Sequence, residues 1–460
     1  MKKNVILTGI ALIASLGGFL FGYDTAVISG TLAMVRDQFS LNAGMEGWYV
    51  SSALVGCIIG VTGAGWLSDR FGRKMILLLT GALFSISAIG CAFSSTFTML
   101  VAYRWIGGVG VGIASMLSPL YISEISPPSI RGRLVTLYQF AITIGILGAY
   151  FVNVGLLNAS DQPGFINMKN LHLIFKEEVW RGMLGMEAIP ALSFLLLLFL
   201  IPKSPRWLVV KGERKEAKRI LTRLAGKDEA ENEIREIEET LALEKGSWKL
   251  LLEPGIKIAV FIGIALAVLQ QFTGIDAIIY YGPRIFEEAG FELSEALGGQ
   301  VVIGIINVTF TVIAIFTIDT LGRKRLLLAG TSGMFITLLF IGLLFTIGRA
   351  QGMLLLSLVL IFIACFAFSL GPVVWVILSE IYPNRIRGRA MSIATIAVWI
   401  GTSIIGQMIP LSLDNLGPNI TFWIFAFFCI PTLYIGWRLL PETKGRTLED
   451  IERHWLEYKK

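Results

Sequence analysis

Two residues of opposite charge stand inside long apolar stretches of the chain, where an ionisable side chain is costly and marks a functional site by default. Asp24 ends the stretch LFGYD, and Arg104 lies in the stretch YRWIGG. A carboxylate beside a guanidinium stays ionised, whereas a carboxylate left alone in a poor dielectric binds a proton more readily. If the two side chains meet and separate, Asp24 can take up and release a proton. The alternative is that both residues stand at helix ends, among lipid headgroups.

The stretch LQQFTGIDAIIYYGP (269–283) carries polar groups that suit a ligand rich in hydroxyl groups. Glutamine both donates and accepts hydrogen bonds. Six residues advance about 240° beyond whole turns, so Gln270 and Asp276 cannot face the same way on a straight helix. Gly274 can break the helix between them, and we expect Gly282 and Pro283 to end it. Broken helices often line substrate sites at mid-membrane, although the same amides could instead join helices to one another.

The elements that hold these residues are predicted to be membrane-spanning helices. The chain has 460 residues, of which 55% are hydrophobic and 16% are charged, and a soluble protein of this kind would expose large apolar patches. Each apolar run is long enough to cross about 30 Å of hydrocarbon as a helix, and too long for a strand of a membrane barrel. The chain is therefore predicted to be an all-α membrane protein with twelve transmembrane helices. The runs lie near 5–34, 48–67, 75–95, 98–122, 132–157, 183–201, 256–282, 299–318, 326–347, 353–378, 390–411 and 420–440.

The distribution of basic residues argues for a membrane topology and against nucleic-acid binding. Lysine and arginine total 39 against 33 acids, and they concentrate in loops on one side of the predicted membrane, such as RFGRK (70–74) and RIRGR (385–389). Cytoplasmic loops carry such an excess, so both termini are predicted to be cytoplasmic in the cell (plasma) membrane. The first apolar run has no obvious cleavage site, which makes it a permanent helix rather than a signal peptide.

The remaining reactive residue types predict neither an enzyme nor a cofactor. Each of the four cysteines stands alone in an apolar run, and the two histidines lie in a loop and in the C-terminal tail. Neither residue type shows metal-ligand spacing, and the cysteines are interpreted as small buried hydrophobic residues. The sequence also lacks a nucleophilic triad or a phosphate-binding loop.

An internal duplication organises the chain. SEISPPSIRGR (123–133) matches SEIYPNRIRGR (379–389) at eight of eleven positions, and DRFGRK (69–74) matches DTLGRK (319–324). PKSPR (202–206) loosely matches PETKGR (441–446), so three markers recur in the same order. Two repeats related by an axis along the membrane normal are typical of transporters, in which the halves rock about a central site.

The duplication predicts four parts: two six-helix bundles, a linker between them and a short cytoplasmic C-terminal tail. In the linker, apolar residues fall on one helical face twice, which predicts short amphipathic helices on the cytoplasmic side. The first face contains Ile220, Leu221 and Leu224, and the second contains Ile234, Ile237 and Leu241. The predicted bounds are 1–201, 202–254, 255–440 and 441–460, respectively.

Taken together, the motifs resemble the sugar porter family of the major facilitator superfamily over the whole chain, and most closely its bacterial D-xylose–proton symporters. The motifs that carry the resemblance are GWLSDRFGRK, YRWIGGVGVG, SEISPPSIRGR, PKSPRW, QQFTGID, LGRK, GPVVWVILSEIYP and PETKGR, with FGYDTAVISG and INVTFTVIAI for the symporters. The resemblance implies the major facilitator fold and import of a monosaccharide, D-xylose or a related pentose or hexose, together with protons. It also implies that Asp24 and Arg104 form the proton-coupling pair.

The resemblance further implies a set of sugar-binding residues. Amides and one indole would hold the sugar hydroxyls, and aromatic rings would cover its apolar faces. The first group comprises Gln139, Gln270, Gln271, Asn307 and Trp375, and the second comprises Phe21, Tyr280 and Trp399. Three positions depart from the family: Asp276 replaces asparagine, and Ile146 and Val398 replace the glutamines of xylose symporters. The pocket is therefore expected to be less polar than that of the xylose symporters. Glu187 is predicted to have a coupling or structural role.

The duplicated charged motifs are expected to form a latch on the cytoplasmic side. In the family, acid and base pair across the halves, which here means Glu124 with Arg387 and Glu380 with Arg131. Asp69 and Arg73 of DRFGRK lie alongside. Such partly hydrated pairs contribute only about 0–1 kcal/mol each, which suits contacts that open in every cycle.

Two other functions remain open at this stage: a passive sugar facilitator on the same fold, and a non-transporting sugar sensor. Asp24 favours the symporter, because passive relatives carry asparagine in its place. The expected partners are a small sugar, protons and the lipid bilayer, and the transporter is expected to be a monomer without cofactors.

Overall fold

The computed structural model describes residues 2–160, 162, 172–224, 226, 230–235, 237–238, 248–350, 352–383, 386–446 and 448–457. These residues form an all-helical structure. The N-terminal half comprises α1 (Lys2–Phe39), α2 (Ala43–Phe71), α3 (Arg73–Ala92), α4 (Phe97–Ile125), α5 (Pro128–Ser160), α6 (Val179–Gly185) and α7 (Ala188–Leu198). Two short linker helices follow, α8 (Pro205–Val210) and α9 (Arg214–Leu224).

The C-terminal half repeats this order. It comprises α10 (Ile256–Phe272), α11 (Ile275–Glu288), α12 (Leu293–Leu321), α13 (Arg323–Thr346), α14 (Gly352–Phe368), α15 (Leu370–Ile381) and α16 (Arg387–Tyr434), followed by the tail helix α17 (Leu448–Glu457). The backbone repeats as well: Gly72 and Gly322 separate α2 from α3 and α12 from α13 with φ angles of 90° and 89°.

The described residues contain eleven helical stretches long and apolar enough to cross a membrane. The last stretch, Arg387–Leu439, has 53 residues and would measure about 80 Å as a straight helix, far more than one crossing needs. It bends at Gly417, where φ is 80° and ψ is 164°. The hydroxyl oxygens of Ser412 and Thr421 are 2.7 Å apart across the bend, so the chain reverses there. The stretch therefore makes two crossings, which brings the total to the predicted twelve.

The surface of the helices is apolar enough to require lipid. Large apolar side chains remain exposed around the bundle, and a soluble protein rarely leaves so many uncovered. Examples in both halves are Ile59, Trp66, Leu196, Phe316, Phe340 and Phe427. The four cysteines are unpaired and all but Cys365 are buried, as predicted for small hydrophobic residues.

The first predicted amphipathic linker helix is confirmed as α9, with Ala217, Leu221 and Leu224 buried on one face. Ile234 of the second face is also buried, and it packs in a small cluster with Leu221. Leu241 lies outside the described residues.

The predicted break between Gln270 and Asp276 is confirmed, because α10 ends at Phe272 and α11 begins at Ile275. Gly274 connects them with φ at 90°, a left-handed conformation that residues with a Cβ adopt at a cost. The prediction that Gly282 and Pro283 end the helix was wrong, because α11 continues to Glu288 with Pro283 inside it. Proline leaves the carbonyl of Ile279 without its helical donor, and the Tyr150 hydroxyl donates to that oxygen at 3.4 Å.

We predict that Gly274→Ala destabilises the protein more than Gly290→Ala. Both glycines have positive φ, so each substitution incurs about 1–2 kcal/mol of backbone strain. A Cβ on Gly274 would also lie 2.6 Å from the Phe425 ring, whereas a Cβ on Gly290 meets nothing within 4 Å. Thermal unfolding in detergent should show the larger fall in melting temperature for Gly274→Ala. Equal falls for the two variants would contradict the assigned packing against Phe425.

Candidate functional site

Asp24 and Arg104 form the buried ion pair that the sequence predicts. The Arg104 guanidinium donates through Nη1 to Asp24 Oδ1 at 2.7 Å. Their side chains are 6% and 3% exposed, so the pair lies inside the helix bundle and not in the headgroup zone. The guanidinium carbon also lies 5.9 Å from the centre of the Tyr49 ring.

Tight helix packing determines where Arg104 stands. Gly108 lies one turn after Arg104 in α4, and its α carbon packs so closely on the Ala53 carbonyl of α2 that a Cβ would collide. Tyr49 of the same α2 helix is fixed by its hydroxyl, 2.8 Å from the Thr31 hydroxyl of α1. The first, second and fourth helices therefore hold the pair together as one unit.

Glu187 is a third buried charged residue near the pair. It is 3% exposed and stands at the break between α6 and α7, within electrostatic reach of Asp24 and Arg104. Tyr23, the residue before Asp24, donates its hydroxyl to the Met183 carbonyl of α6 at 3.1 Å. Glu187 lies within the candidate membrane span Val179–Leu198, and its coupling or structural role stays a prediction.

A small cavity between the two halves, with room for about one water molecule, is lined by the ion pair and by two of the predicted aromatic walls. Asp24 and Arg104 line it from the N-terminal half, and Tyr280 and Trp399 line it from the C-terminal half. The remaining lining residues are Thr25, Ile28, Val50, Ala53, Leu54, Cys57 and Val111. Phe21 and Trp399 also meet across the halves, with their ring centres 5.3 Å apart. A ligand that stacks on these rings would therefore lie next to the carboxyl group of Asp24.

The two glutamines at the helix break are each fixed through the amide nitrogen. Gln270 Nε2 donates to the Leu370 carbonyl at 2.9 Å, and Gln271 Nε2 donates to Thr402 Oγ1 at 2.7 Å. Gln270 Oε1 is enclosed and has no hydrogen-bond partner in the described part of the chain. A fixed amide with a free acceptor is suited to hold a hydroxyl group.

The other predicted binding residues differ in burial. Asp276 and Asn307 are buried, whereas Gln139 and Trp375 are half-buried. Within the described residues, no hydrogen bond is formed by the side chains of these four. Ile146 and Val398, which replace polar residues of the family, are buried apolar side chains. The assignment of all these residues to a sugar stays a prediction.

On the side of the membrane that holds the linker and the tail, here called the linker side, each half contains the same charged network. Arg73 Nε donates to both oxygens of Glu124 at 3.1 Å, and Arg73 Nη1 contacts Asp69 at 2.9 Å. In the other half, Arg323 contacts Glu380 at 2.9 Å and Asp319 at 2.8 Å. The repeated motifs PKSPR and PETKGR each add a hydroxyl group to one network. Ser204 donates to Glu124, and Thr443 donates to Glu380.

The pairs predicted across the halves are therefore not formed in this conformation. Glu124 binds Arg73 and Glu380 binds Arg323, so each acid is paired within its own half. The two arginines are the first residues of α3 and α13. Arg131 instead lies 3.7 Å from Glu233 of the linker, and Arg387 donates to the Tyr382 carbonyl at 3.5 Å. On the linker side, the predicted pairs therefore do not join the two halves.

The opposite side of the membrane, here called the far side, is closed by contacts that the sequence analysis missed. Arg284 of α11 reaches across the halves to Glu46 of α2, with Nη1 2.7 Å from the carboxylate, and it also contacts Asp414. Gln407 accepts from Ser51 at 2.8 Å and donates to the Gly44 carbonyl at 2.9 Å. One signal was available in the sequence, since Arg284 directly follows the apolar stretch IDAIIYYGP.

Similar proteins are known over nearly the whole length of the chain. The sequence profile of the family described as "Sugar (and other) transporter" matches residues 10–455. The arabinose-proton symporter of Bacillus subtilis (strain 168) is 42% identical over 98% of this chain and 95% of its own length. The D-xylose-proton symporter of Escherichia coli (strain K12) is 40% identical over 97% of this chain and 95% of its own.

Among solved structures, the inward open conformation of the xylose transporter XylE from E. coli superposes with a TM-score of 0.83. That structure is 37% identical in sequence, and the match covers 98% of this chain and 100% of that one. The partially occluded inward open conformation of the same transporter gives a TM-score of 0.82 at 36% identity and covers 95% of this chain.

We predict that Glu46→Gln opens the far side, whereas Glu288→Gln does not. Both acids contact Arg284, but Glu288 lies on the same helix, 3.6 Å away, and cannot join the two halves. Removing one partner of the buried pair should favour the open form by about 1–3 kcal/mol, which is about 5-fold to 150-fold in population. Spin labels at the exposed positions Met45 and Leu416 should report a longer distance in Glu46→Gln. The same distances in both variants would show that Glu46 does not hold the halves together.

Proposed function

The chain belongs to the sugar transporter family and is a multi-pass membrane protein, and we propose that it imports a monosaccharide together with protons by alternating access. The observation that carries the proposal is the shared cavity, in which Asp24 and Arg104 of one half face Tyr280 and Trp399 of the other. The relatives reported above are named as proton symporters of arabinose and of D-xylose. A galactose-proton symporter of E. coli (strain K12) is also 37% identical.

The ion pair supports proton coupling because the two charges stabilise each other only while they are in contact. In this conformation the Arg104 guanidinium contacts the Asp24 carboxyl group, and this contact favours the ionised form. When α1 and α4 shift against each other during the transport cycle and the contact lengthens, Asp24 is left in a poor dielectric and takes a proton from the far side. The proton leaves toward the linker side when Arg104 returns. One charge that crosses 100 mV gains about 2.3 kcal/mol, enough for a sugar gradient on the order of 50-fold.

The sugar site is proposed from the same cavity and from the break between α10 and α11. Gln270, Gln271, Asn307, Gln139 and Trp375 would contact hydroxyl groups, and Phe21, Tyr280 and Trp399 would cover the apolar face of the ring. The buried Ile146 and Val398 make the pocket less polar than that of the xylose symporters, so D-xylose and other pentoses and hexoses are all candidate substrates.

We propose that the linker side faces the cytoplasm of the plasma membrane and that the transporter works as a monomer. The excess of lysine and arginine in the linker-side loops supports this orientation. An impermeant thiol reagent should label a cysteine placed at exposed Lys444 in inside-out vesicles and leave it unlabelled in intact cells.

The charged latch is proposed to work in the opposite conformation. When the far side opens, the linker side closes, and Glu124 and Glu380 would then reach Arg387 and Arg131 of the other half. Each acid would exchange an arginine of its own half for one of the other. Because Arg131 is partly exposed, its pair with Glu380 would be weak and would not trap the closed conformation.

The proposed function predicts that reconstituted protein accumulates a sugar when a proton gradient is imposed. A panel of labelled pentoses, hexoses and inositol identifies the substrate, and its uptake should make the outside solution more alkaline. Asp24→Asn should lower the accumulation that the proton gradient drives and spare exchange of labelled for unlabelled sugar, because the neutral residue binds no proton. Accumulation that ignores a proton uncoupler would exclude symport, and saturable transport of none of the sugars would exclude a sugar transporter.

The latch predicts different effects for two substitutions that act on Arg323. Glu380→Gln removes a group that would pair across the halves with Arg131, so we expect a larger share of molecules to be open on the linker side. Asp319→Asn removes the other carboxylate that contacts Arg323. Asp319 is exposed and has no assigned partner in the other half, so we expect this variant to leave the open share unchanged. Accessibility of cysteines placed in the cavity to a linker-side thiol reagent measures this population. If Glu380→Gln leaves that accessibility unchanged, the latch assignment is wrong.

A further inference from the structure

Asp276 is a buried acid that the proton-coupling pair leaves unexplained. It is the second residue of α11, directly after the break at Gly274, and it is 6% exposed. Tyr280 follows it by one turn of the helix and lines the cavity that contains Asp24 and Arg104. Asp276 therefore lies next to the site where the proposed sugar and proton meet, at a position where the family carries an uncharged amide.

The protein supplies this carboxyl group with no counter-charge and no hydrogen-bond donor in the described part of the chain. Oδ2 is enclosed and unpartnered, and no charged side chain acts on Asp276 appreciably. On α1, Asp24 is already paired with Arg104. The helices packed on α11 also carry other charged residues, but these stand within two turns of a helix end. The exception is Asp414, which stands near the bend at Gly417. Tyr280 is a titratable neighbour on α11 itself.

An ionised carboxylate in this position would be costly. The effective penalty for a buried charge without a partner is several kcal/mol, whereas the start of a helix returns only about 0.3–1 kcal/mol to a nearby anion. The neutral acid is therefore the stable form in this conformation. Once water reaches the cavity from either side, the penalty falls and the proton can exchange.

We propose that Asp276 is a second proton-binding group, so that the transporter carries two protons with each sugar. The proposal rests on the proposed function, because it assumes a proton-coupled sugar cycle. Asp276 takes a proton from the far side when the cavity opens there, keeps it while protein encloses the carboxyl group, and releases it on the linker side. The second proton squares the sugar gradient that a given pH difference can sustain.

The test is a zero-flux measurement on the full-length protein in liposomes, with the membrane potential clamped at zero by potassium and valinomycin. The probe is labelled D-xylose, or the sugar from the uptake panel that the protein transports in its place. A tenfold sugar gradient is balanced by a pH difference of about 1 unit when one proton is coupled and about 0.5 unit when two are coupled. We expect about 0.5 unit for the wild-type protein and about 1 unit for Asp276→Asn, which restores the amide of the family.

Each other outcome has a defined meaning. A wild-type balance near 1 unit overturns the second proton site, whatever the variants do. The wild-type protein and Asp276→Asn could both reach zero flux at a pH difference near 0.5 unit. That result would assign the second proton to a different group, such as Glu187, and would also overturn the proposal. Sugar flux that no pH difference can stop contradicts proton symport itself and so concerns the proposed function instead. Asp276→Ser provides a second neutral replacement if the asparagine variant fails to fold, and Asp276→Glu should keep the value near 0.5 unit.

Discussion

A charge inside a membrane must be paired, and most of this structure follows from how that requirement is met. Asp24 and Arg104 come from different helices, and each would be strongly unfavourable in the bundle without the other. Close packing of α1, α2 and α4 keeps them in contact, with Tyr49 against the guanidinium. The same requirement makes the contact useful for transport, because a movement that weakens it changes how readily the carboxylate binds a proton.

The two halves share an architecture but divide the chemistry between them. The N-terminal half holds the buried ion pair, whereas the C-terminal half holds the broken helix with Gln270, Gln271 and Asp276. On the linker side the halves remain alike, since each has an arginine bound to two acids and a hydroxyl group on one of them. Symmetry is therefore retained where both halves perform the same movement. It is lost at the centre, where the sugar and the proton need different groups.

Much of the site was predictable because its signals are local in the sequence. An acid and an arginine within apolar runs can be recognised without knowing their partners, and a glycine between two glutamines and an acid indicates where a helix can break. The contacts of longer range were harder to predict. Glu124 and Glu380 were matched to arginines of the opposite half, but the loop arginines of their own half lie closer in this conformation. Pro283 was expected to end its helix, yet Tyr150 from the other half satisfies the carbonyl that proline leaves free.

The fold class, the duplication and the residue types of the site can be read from the sequence alone, because the length of apolar runs, the repeated motifs and the charges inside apolar runs are properties of the chain. The partners of the charged residues become known only from the folded structure. Glu46 and Arg284 stand 238 positions apart and join the halves on the far side, while the acids of the latch stay within their own halves. The reason is physical: ion pairs depend on distances of a few ångströms, and those distances depend on the conformation in which the two halves meet.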